Sequence, residues 1–357
     1  MVSLAYLSKI RQSDKTNNFL VLRLTAASLV IYGHAFALGA PCASCIEVIS
    51  RYAHYRYSGD VGVSIFFVIS GYMVVGSYDK RRDLGAFLMA RFMRIVPAFW
   101  LCLLLMLLLG ACMTTLPLRQ FLTSPESWQY LKANGLFLYA QSDLPGVVLT
   151  VSKTYGTVVN GSIWTLFAEV RLYLLVAILG AAGILAHRQA ANVAILGLVL
   201  IGIVLPGRLP FLGTYSGNLS IAAFFAIGAL FYVNRADVPM SWGLLGLMLL
   251  ATYLSAGGPN FELFAGGFIA YGVMMLGFAR KLPLPAWVED YSYGIYVYGW
   301  PIEQLTRHYR PGFGPYRMAL TAVILSWIAG AASWHCLEKH ARRLARRPAA
   351  LASAVLA

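Results

Sequence analysis

Charge is scarce in this sequence. Only 12% of its 357 residues are Asp, Glu, Lys or Arg, about half of the roughly 25% found in water-soluble domains. That is too little to clothe a water-facing surface. Acidic residues are the scarcer sign, 14 against 28 Lys and Arg. Cysteine is sparse and odd in number, at five, which excludes a disulfide-built scaffold. Cys42-x-x-Cys45 with His54 nearby does not complete a four-ligand zinc site; a disulfide or two thiols both fit, and no metal is expected. Internal repeats and heptad runs are also missing, and the one biased tract is the Ala/Arg-rich tail after Glu338. The net charge of +14 raises the question of nucleic acid. The basic residues sit between apolar runs rather than on one face, and no RNA- or DNA-reading motif accompanies them, so that partner is excluded.

What the chain has in excess is apolar surface: 59% hydrophobic residues and a mean hydropathy of +0.68. Length alone admits two or three soluble domains. The apolar excess predicts instead an all-α polytopic membrane protein, its surface turned largely to lipid. A crossing helix needs about 20 residues, and ten segments qualify: 19–39, 61–78, 95–113, 163–186, 192–205, 219–233, 242–255, 261–279, 291–306 and 318–336. The fifth and seventh are short. An even number puts both termini on one side. With the N-terminus inside, 17 of the 28 basic residues fall on cytoplasmic segments and 9 on outer ones, while Arg23 and Arg171 lie within spans. Positive charge is retained on the cytoplasmic side, so both termini are expected there. The first segment follows a basic, polar stretch without a cleavage pattern and reads as an uncleaved anchor. The organisation expected is one transmembrane domain over 1–338 and a basic cytoplasmic tail over 339–357. The longest loop, 114–162, lies outside and holds Trp128, Tyr130, Tyr139 and Tyr155. It reads either as a lid or sugar platform or as aromatics at headgroup level.

Ionisable side chains inside a membrane mark function by default, because each costs roughly 2.5–3.5 kcal/mol on insertion scales. Those within or at the rim of the spans are Arg23, His34, Asp60, Glu169, Arg171 and Glu303. Arg23 and His34 are eleven residues apart. At 100° per residue they project within about 20° of one another, about 16 Å apart along the axis. One helix stripe thus carries a fixed cation near its cytoplasmic end and a titratable imidazole in its outer half. A buried histidine satisfied by a carbonyl is the plain alternative. Glu169 lies at a depth similar to that of His34, so a carboxylate–imidazole pair is available if the first and fourth helices adjoin; the alternative partner, Arg171, sits two residues away on another helix face. Glu303 lies near the outer end of the ninth span. Arg91 and Arg94, three apart at a cytoplasmic helix start, share a face and suit bidentate phosphate binding, or serve as topology anchors. Gly62, Gly71 and Gly76 read as close-packing positions, and Ser70 as a candidate lining of an acyl channel.

These residues also carry a family resemblance. Arg23-x10-His34, Gly62-Val63-Ser64-Ile65-Phe66-Phe67-Val68-Ile69-Ser70-Gly71-Tyr72, Arg91-x-x-Arg94-Ile95-x-Pro97 and Trp164-Thr165-Leu166-x-x-Glu169-x-x-x-Tyr173 resemble, in order, the motifs of the acyltransferase 3 family of integral-membrane acyltransferases. Tyr291-Ser292-Tyr293-Gly294-Ile295-Tyr296 and Glu338-Lys339 are weaker echoes of its closing segments. Two positions depart from the pattern: Gly299 stands where many relatives carry a His, and His340 follows Glu338-Lys339 in place of a proline. About twenty residues follow the tenth span, so the expectation is a stand-alone form without a fused extracytoplasmic hydrolase-like domain.

The resemblance implies an enzyme of a bacterial inner (plasma) membrane. It would transfer an acyl group, acetyl above all, from cytoplasmic acyl-CoA to a hydroxyl of a cell-surface or lipid-linked glycan. On that implication Arg91 and Arg94 hold the donor phosphates, Arg23 and Ser70 line its path, His34 is the general base or a transient nucleophile, and Glu169 orients it. Direct transfer is favoured, since no second nucleophile is obviously placed for a relay. A lipid-linked glycan flippase or transporter is the non-enzymatic alternative, and a glycan polymerase or ligase the third reading. No inverted repeat of the transporter kind is visible.

Overall fold

A backbone immersed in lipid satisfies its N–H and C=O groups within its own segment, which for runs such as these means helix. The computed structural model describes residues 2–11, 16–53, 55–150, 155–204 and 217–345. It is mostly helical; the strand content is a two-residue pairing of Val2–Ser3 with Pro239–Met240. Each of the ten apolar segments is occupied by a helix: α1 Phe19–Leu38, α2 Ser58–Arg81, α3 Leu84–Met113, α4 Trp164–Ala181, α5 Arg188–Val204, α6 Gly217–Val233, α7 Trp242–Leu254, α8 Phe261–Gly277, α9 Ser292–Tyr309 and α10 Pro315–Ser333. Among the described residues, five stretches are long and apolar enough to cross a membrane: Phe19–Leu38, Ser58–Arg81, Leu84–Met113, Gly161–Ala181 and Pro315–Leu344.

Local chemistry sets several boundaries. Asn17 Oδ1 accepts the Phe19 N–H at 3.1 Å and caps α1. Next to it, buried Asn18 donates to the carbonyls of Leu276 and Arg280 and accepts from Leu282 N, tying the start of α1 to the exit of α8. Arg82 closes α2 in the left-handed region, φ 49°. Asp83 then caps α3 by accepting from Ala86 N at 2.9 Å, so α3 begins eleven residues before the expected 95 and carries Arg91 and Arg94 inside it. The end of the expected fifth span, residue 205, lies outside the described residues.

The chain divides into two units. Unit one is Met1–Ala26, Val48–Phe87 and Ala168–Val288; unit two is Ala27–Glu47, Leu88–Phe167 and Glu289–Ala357. Within unit one, α2 and α6 touch backbone to backbone. A Cβ at Gly71 would strike the Phe225 carbonyl, and one at Gly228 would strike that of Val68, the small-residue crossing typical of membrane helices. Within unit two, Gly294 of α9 faces Gly330 of α10, a Cβ on the former lying 2.7 Å from the Cα of the latter. The described parts of segment 114–162 are folded rather than open. Tyr130 is fully buried, Asn134 bonds Gln141 in both directions, and Trp128 and Tyr139 remain exposed.

Past α10 the chain continues through a widened π turn, Trp334–Glu338, into a short helix, Lys339–Leu344. The described part of the expected tail is therefore ordered helix. Residues 346–357, and His54, lie outside the described residues.

Candidate active site

Proline supplies the starting point. Pro301 stands inside α9 and has no N–H, so the carbonyl four residues earlier, that of Val297, loses its helical partner. Asn160, fully buried at the end of segment 114–162, donates its Nδ2 to that carbonyl at 3.0 Å. Its Oδ1 accepts from Ser162 N at 3.0 Å and starts the 3-10 turn leading into α4. One side chain thereby hangs the end of the loop from α9. Trp300 and Gln304 fasten the same stretch: Trp300 Nε1 donates to Val158 O at 3.0 Å, and Gln304 Nε2 to the carbonyls of Val158 and Tyr155. The Tyr155 ring meets Trp300 edge-on at 5.6 Å.

Trp300, Glu303 and Gln304 share a face of α9 by their i, i+3, i+4 spacing, and His34 of α1 sits on that face. Its ring lies edge-on to Trp300 at 4.8 Å, and its Nδ1 stands 3.3 Å from Glu303 Oε2. Glu303 is fully buried and the His34 side chain is 14% exposed. The separation is that of a hydrogen bond without its alignment. Among the described residues, His34 Nδ1, both Glu303 oxygens, Gln304 Oε1 and Ser162 Oγ have no aligned partner. Buried polar atoms left so are costly, about 1–3 kcal/mol each, and call for an explanation, of which a catalytic role is one. Gly299 is what permits the approach: a Cβ there would lie 2.9 Å from Ile31 Cγ1.

Within unit two the carboxylate facing His34 Nδ1 is that of Glu303, a pair that the sequence reading did not make. Glu169, in unit one, accepts a hydrogen bond from Tyr173 Oη, in place of a pairing with Arg171. Tyr173 Oη is in turn 3.2 Å from Ser70 Oγ, so Ser70, Tyr173 and Glu169 form a polar chain between α2 and α4. Arg23 is buried, with Nη1 3.5 Å from Met73 Sδ. The sequence marked Glu303 as an intramembrane acid but gave it no partner. Its depth near the outer end of its span matched that of His34 as well as Glu169 did, and that signal went unused.

At the other end of unit two, Arg94 Nη1 lies 3.6 Å from Asp290 Oδ2, an oxygen shared with Arg342 Nη1 at 3.1 Å. Ser292 Oγ donates to Asp290 Oδ1 at 2.6 Å. Arg342 also lies 3.8 Å from Glu338 and stacks 4.6 Å over Trp334. Arg91 is half-buried one turn before Arg94 on α3. Asp290 and Arg342 were missed in the sequence, Arg342 because it lay in what read as a solvated tail. Its i, i+4 spacing from Glu338 was the available signal.

The acyltransferase-domain family matches residues 17–336, most of the chain and every residue of the His34 shell. The chain belongs to the acyltransferase 3 family. Across this acyltransferase's length two curated proteins are similar: an O-acetyl transferase of Shigella phage Sf6, 27% identical over 339 residues covering 91% of this chain and 96% of that protein, and nodulation protein 10 of Rhizobium leguminosarum bv. viciae, 25% identical over 328 residues covering 82% and 84%. No solved structure matches. The chain is therefore a membrane acyltransferase, and its buried imidazole–carboxylate contact is the natural place to seek the chemistry. Among the described residues no group of three or more His, Cys, Asp or Glu is placed to hold a metal ion.

Proposed function

We propose that this acyltransferase is an O-acyltransferase, in first line an O-acetyltransferase. It moves the acyl group from cytoplasmic acyl-CoA to a hydroxyl of a cell-surface or lipid-linked glycan, from a site within the inner membrane of a bacterium. In this reading all ten helices cross the bilayer and both termini are cytoplasmic. The observation that carries the proposal is the His34–Glu303 contact, 3.3 Å in a buried shell. The relative named O-acetyl transferase supports the reaction class.

The chemistry follows from the tautomer that this contact favours. With its proton on Nδ1, facing the Glu303 carboxylate, the imidazole presents Nε2 as a base. Nε2 takes the proton of the acceptor hydroxyl as the oxygen attacks the thioester carbonyl. The C–S bond breaks as the new C–O bond is completed, and the CoA thiolate leaves with the proton returned from the imidazolium. Glu303 stabilises that imidazolium and holds its orientation; it is a positioning residue. Arg91 and Arg94 are assigned to the donor phosphates, Arg94 braced by Asp290. Arg23 and Ser70 are assigned to the donor's path, with Glu169 setting Ser70 through Tyr173.

The test is transfer from labelled acetyl-CoA by purified protein to a panel of lipid-linked and polymeric glycans. His34→Ala is expected to abolish transfer with membrane insertion unchanged. Transfer retained by that variant would remove the mechanism, and a wild-type protein that moves glycan across vesicles without acylating it would favour the transporter reading.

A further inference from the structure

In unit two, segment 114–147 does not cap the end of α3 but doubles back along it. At that end Thr114 Oγ1 donates to Pro145 O and Thr115 N to Gly146 O, both at 2.9 Å. A Cβ at Gly110 would meet Phe121 of one limb at 2.9 Å and Leu144 of the other at 2.7 Å. Ten residues earlier on α3, Trp100 Nε1 donates to Gly135 O at 3.0 Å. There the Phe99 ring stands 5.2 Å from that of Phe137, at which the chain turns with φ 53°. Ten residues are about 15 Å of helix. The helix Pro125–Gly135 therefore runs deep beside α3, a helix long and apolar enough to cross a membrane.

Between the two helices lies a groove of about 1080 Å³ that no step above uses. Its walls are open aromatic faces. Trp100 is 46% and Trp128 55% exposed, while their N–H edges are tied down, that of Trp100 on Gly135 O and that of Trp128 on Leu122 O at 2.8 Å. Exposed Leu104, Leu136 and Leu138 continue the lining. Its polar groups are few: Gln129, which donates to Tyr139 Oη, and Lys132, an exposed cation. Among the described residues no acceptor engages the Lys132 ammonium.

Lys132 lies one turn before Gly135 and lines the groove with Leu103, about 15 Å back from the Met113 end of α3. In a hydrocarbon core about 30 Å thick that is the middle. A charge at such depth is costly and marks a functional site by default. Irregular backbone there, here residues 136–140, is tolerated where protein buries it or where it meets water. Plain lipid chains meet neither demand; an anionic, hydrated head on an apolar chain meets both. The groove also lies near the depth of the site. Cys102, next to Leu103 on α3, approaches the Val297 carbonyl at 3.8 Å, and Val297 precedes Glu303 on α9 by less than two turns.

We propose that this groove binds a phosphorylated polyisoprenoid, its phosphate on Lys132 and its chain laid against Trp100, Trp128 and Leu104. Resting on the proposed function, that isoprenoid is the anchor of a lipid-linked glycan acceptor. An ordinary phospholipid gains nothing from having its phosphate drawn so far below headgroup level. A lipid-linked acceptor does, because the same descent carries its sugar towards the depth of His34. A free sugar would find few hydrogen-bonding groups in the groove.

The test uses the full chain in nanodiscs of phosphatidylcholine, titrated with farnesyl phosphate and, separately, with farnesol. Farnesyl phosphate is expected to bind, and farnesol about 10-fold more weakly for want of the charge-assisted bond. Lys132→Gln should bring farnesyl phosphate down to the affinity of farnesol at unchanged Tm, since the side chain is exposed. Trp128→Ala should weaken both probes alike. The KM of Lys132→Gln for a lipid-linked acceptor should rise about 10-fold with kcat kept, a split that loss of structure would not give. Unchanged farnesyl phosphate affinity in Lys132→Gln overturns the proposal and leaves the acyl transfer standing. Phosphatidylglycerol that competes as well as farnesyl phosphate makes the groove a headgroup site and also overturns it. So does a two-copy assembly of wild type that Trp128→Ala separates, which makes the groove an interface between copies. Farnesyl phosphate binding that depends on Lys132, in a wild type that acylates nothing, supports the isoprenoid phosphate site and removes the acyl-transfer reading.

Discussion

Replacing Glu303 by Gln separates stability from chemistry at one position. The change keeps the side chain's volume and removes its charge. Glu303 is fully buried and neither oxygen has an aligned partner among the described residues, so the native carboxylate bears a desolvation penalty that the amide avoids. The variant's Tm should therefore be no lower than that of the wild type. Activity should move the other way. Two unit charges 3.3 Å apart attract by about 5 kcal/mol at an effective dielectric of about 20. The contact is off-line and the imidazolium charge is spread over its ring, so roughly half of that acts on the charge developing at His34. A loss of about 2.5 kcal/mol is about 70-fold in kcat, at 1.36 kcal/mol per decade. The KM for either substrate should hold, since Glu303 touches neither in the mechanism proposed. Glu303→Asp, which keeps the charge at a greater reach, should recover part of the loss. The assay is steady-state transfer from radiolabelled acetyl-CoA, with Tm read on the same preparations. A kcat within threefold of wild type in Glu303→Gln, with Glu169→Gln inactive, would return the orienting role to Glu169 and refute the reasoning.

Three further outcomes are expected. Asn160→Ala removes the stronger of two donors to the Val297 carbonyl, leaving only the weak Cys102 thiol at 3.8 Å, and should lower stability by about 1–3 kcal/mol. Adding Pro301→Ala, which restores a helical N–H to that carbonyl, should recover part of the loss, a non-additivity that thermal melts of the four proteins would reveal; strict additivity would break the link. Gly71→Leu should separate α2 from α6 and abolish folded protein by size-exclusion in detergent, because the Phe225 backbone blocks the new side chain; a normally folded Gly71→Leu would disprove that crossing. Arg91→Ala should raise the donor KM with little change in Tm, whereas Arg94→Ala should also lower Tm by unbalancing Asp290; equal Tm values for the two would show that the Asp290 contact carries no weight.

The helices were legible because apolar runs punctuated by charge leave little else to form, and their order needed no tertiary information. That Glu303 faces His34 was not legible for a definite reason. Hydropathy gives each residue a depth, and Glu169 and Glu303 both stood at suitable depths. That α9 lies beside this part of α1 is decided by packing, and a contact that allows it, Gly299 against Ile31, is visible only once two distant segments meet. Composition misled in a different way at Arg342. An Arg-rich stretch after the last apolar run looks solvated, yet the helix continues to Leu344 and turns one guanidinium back onto Asp290 and Trp334. The start of α1 was placed at Phe19, where Asn17 caps it, whereas the Asp83 cap that starts α3 was overlooked and that span was begun at 95.

A consequence for engineering follows from the way Asn160 is anchored. Anyone grafting the 114–162 segment from a relative to alter which alcohol is acylated would be exchanging one half of a joint whose other half is a proline-broken helix. A donor segment lacking the asparagine would leave that carbonyl with only the weak Cys102 thiol, two turns from the reacting imidazole's partner. Such chimeras should be built with the amide carried along, or with Pro301 changed at the same time.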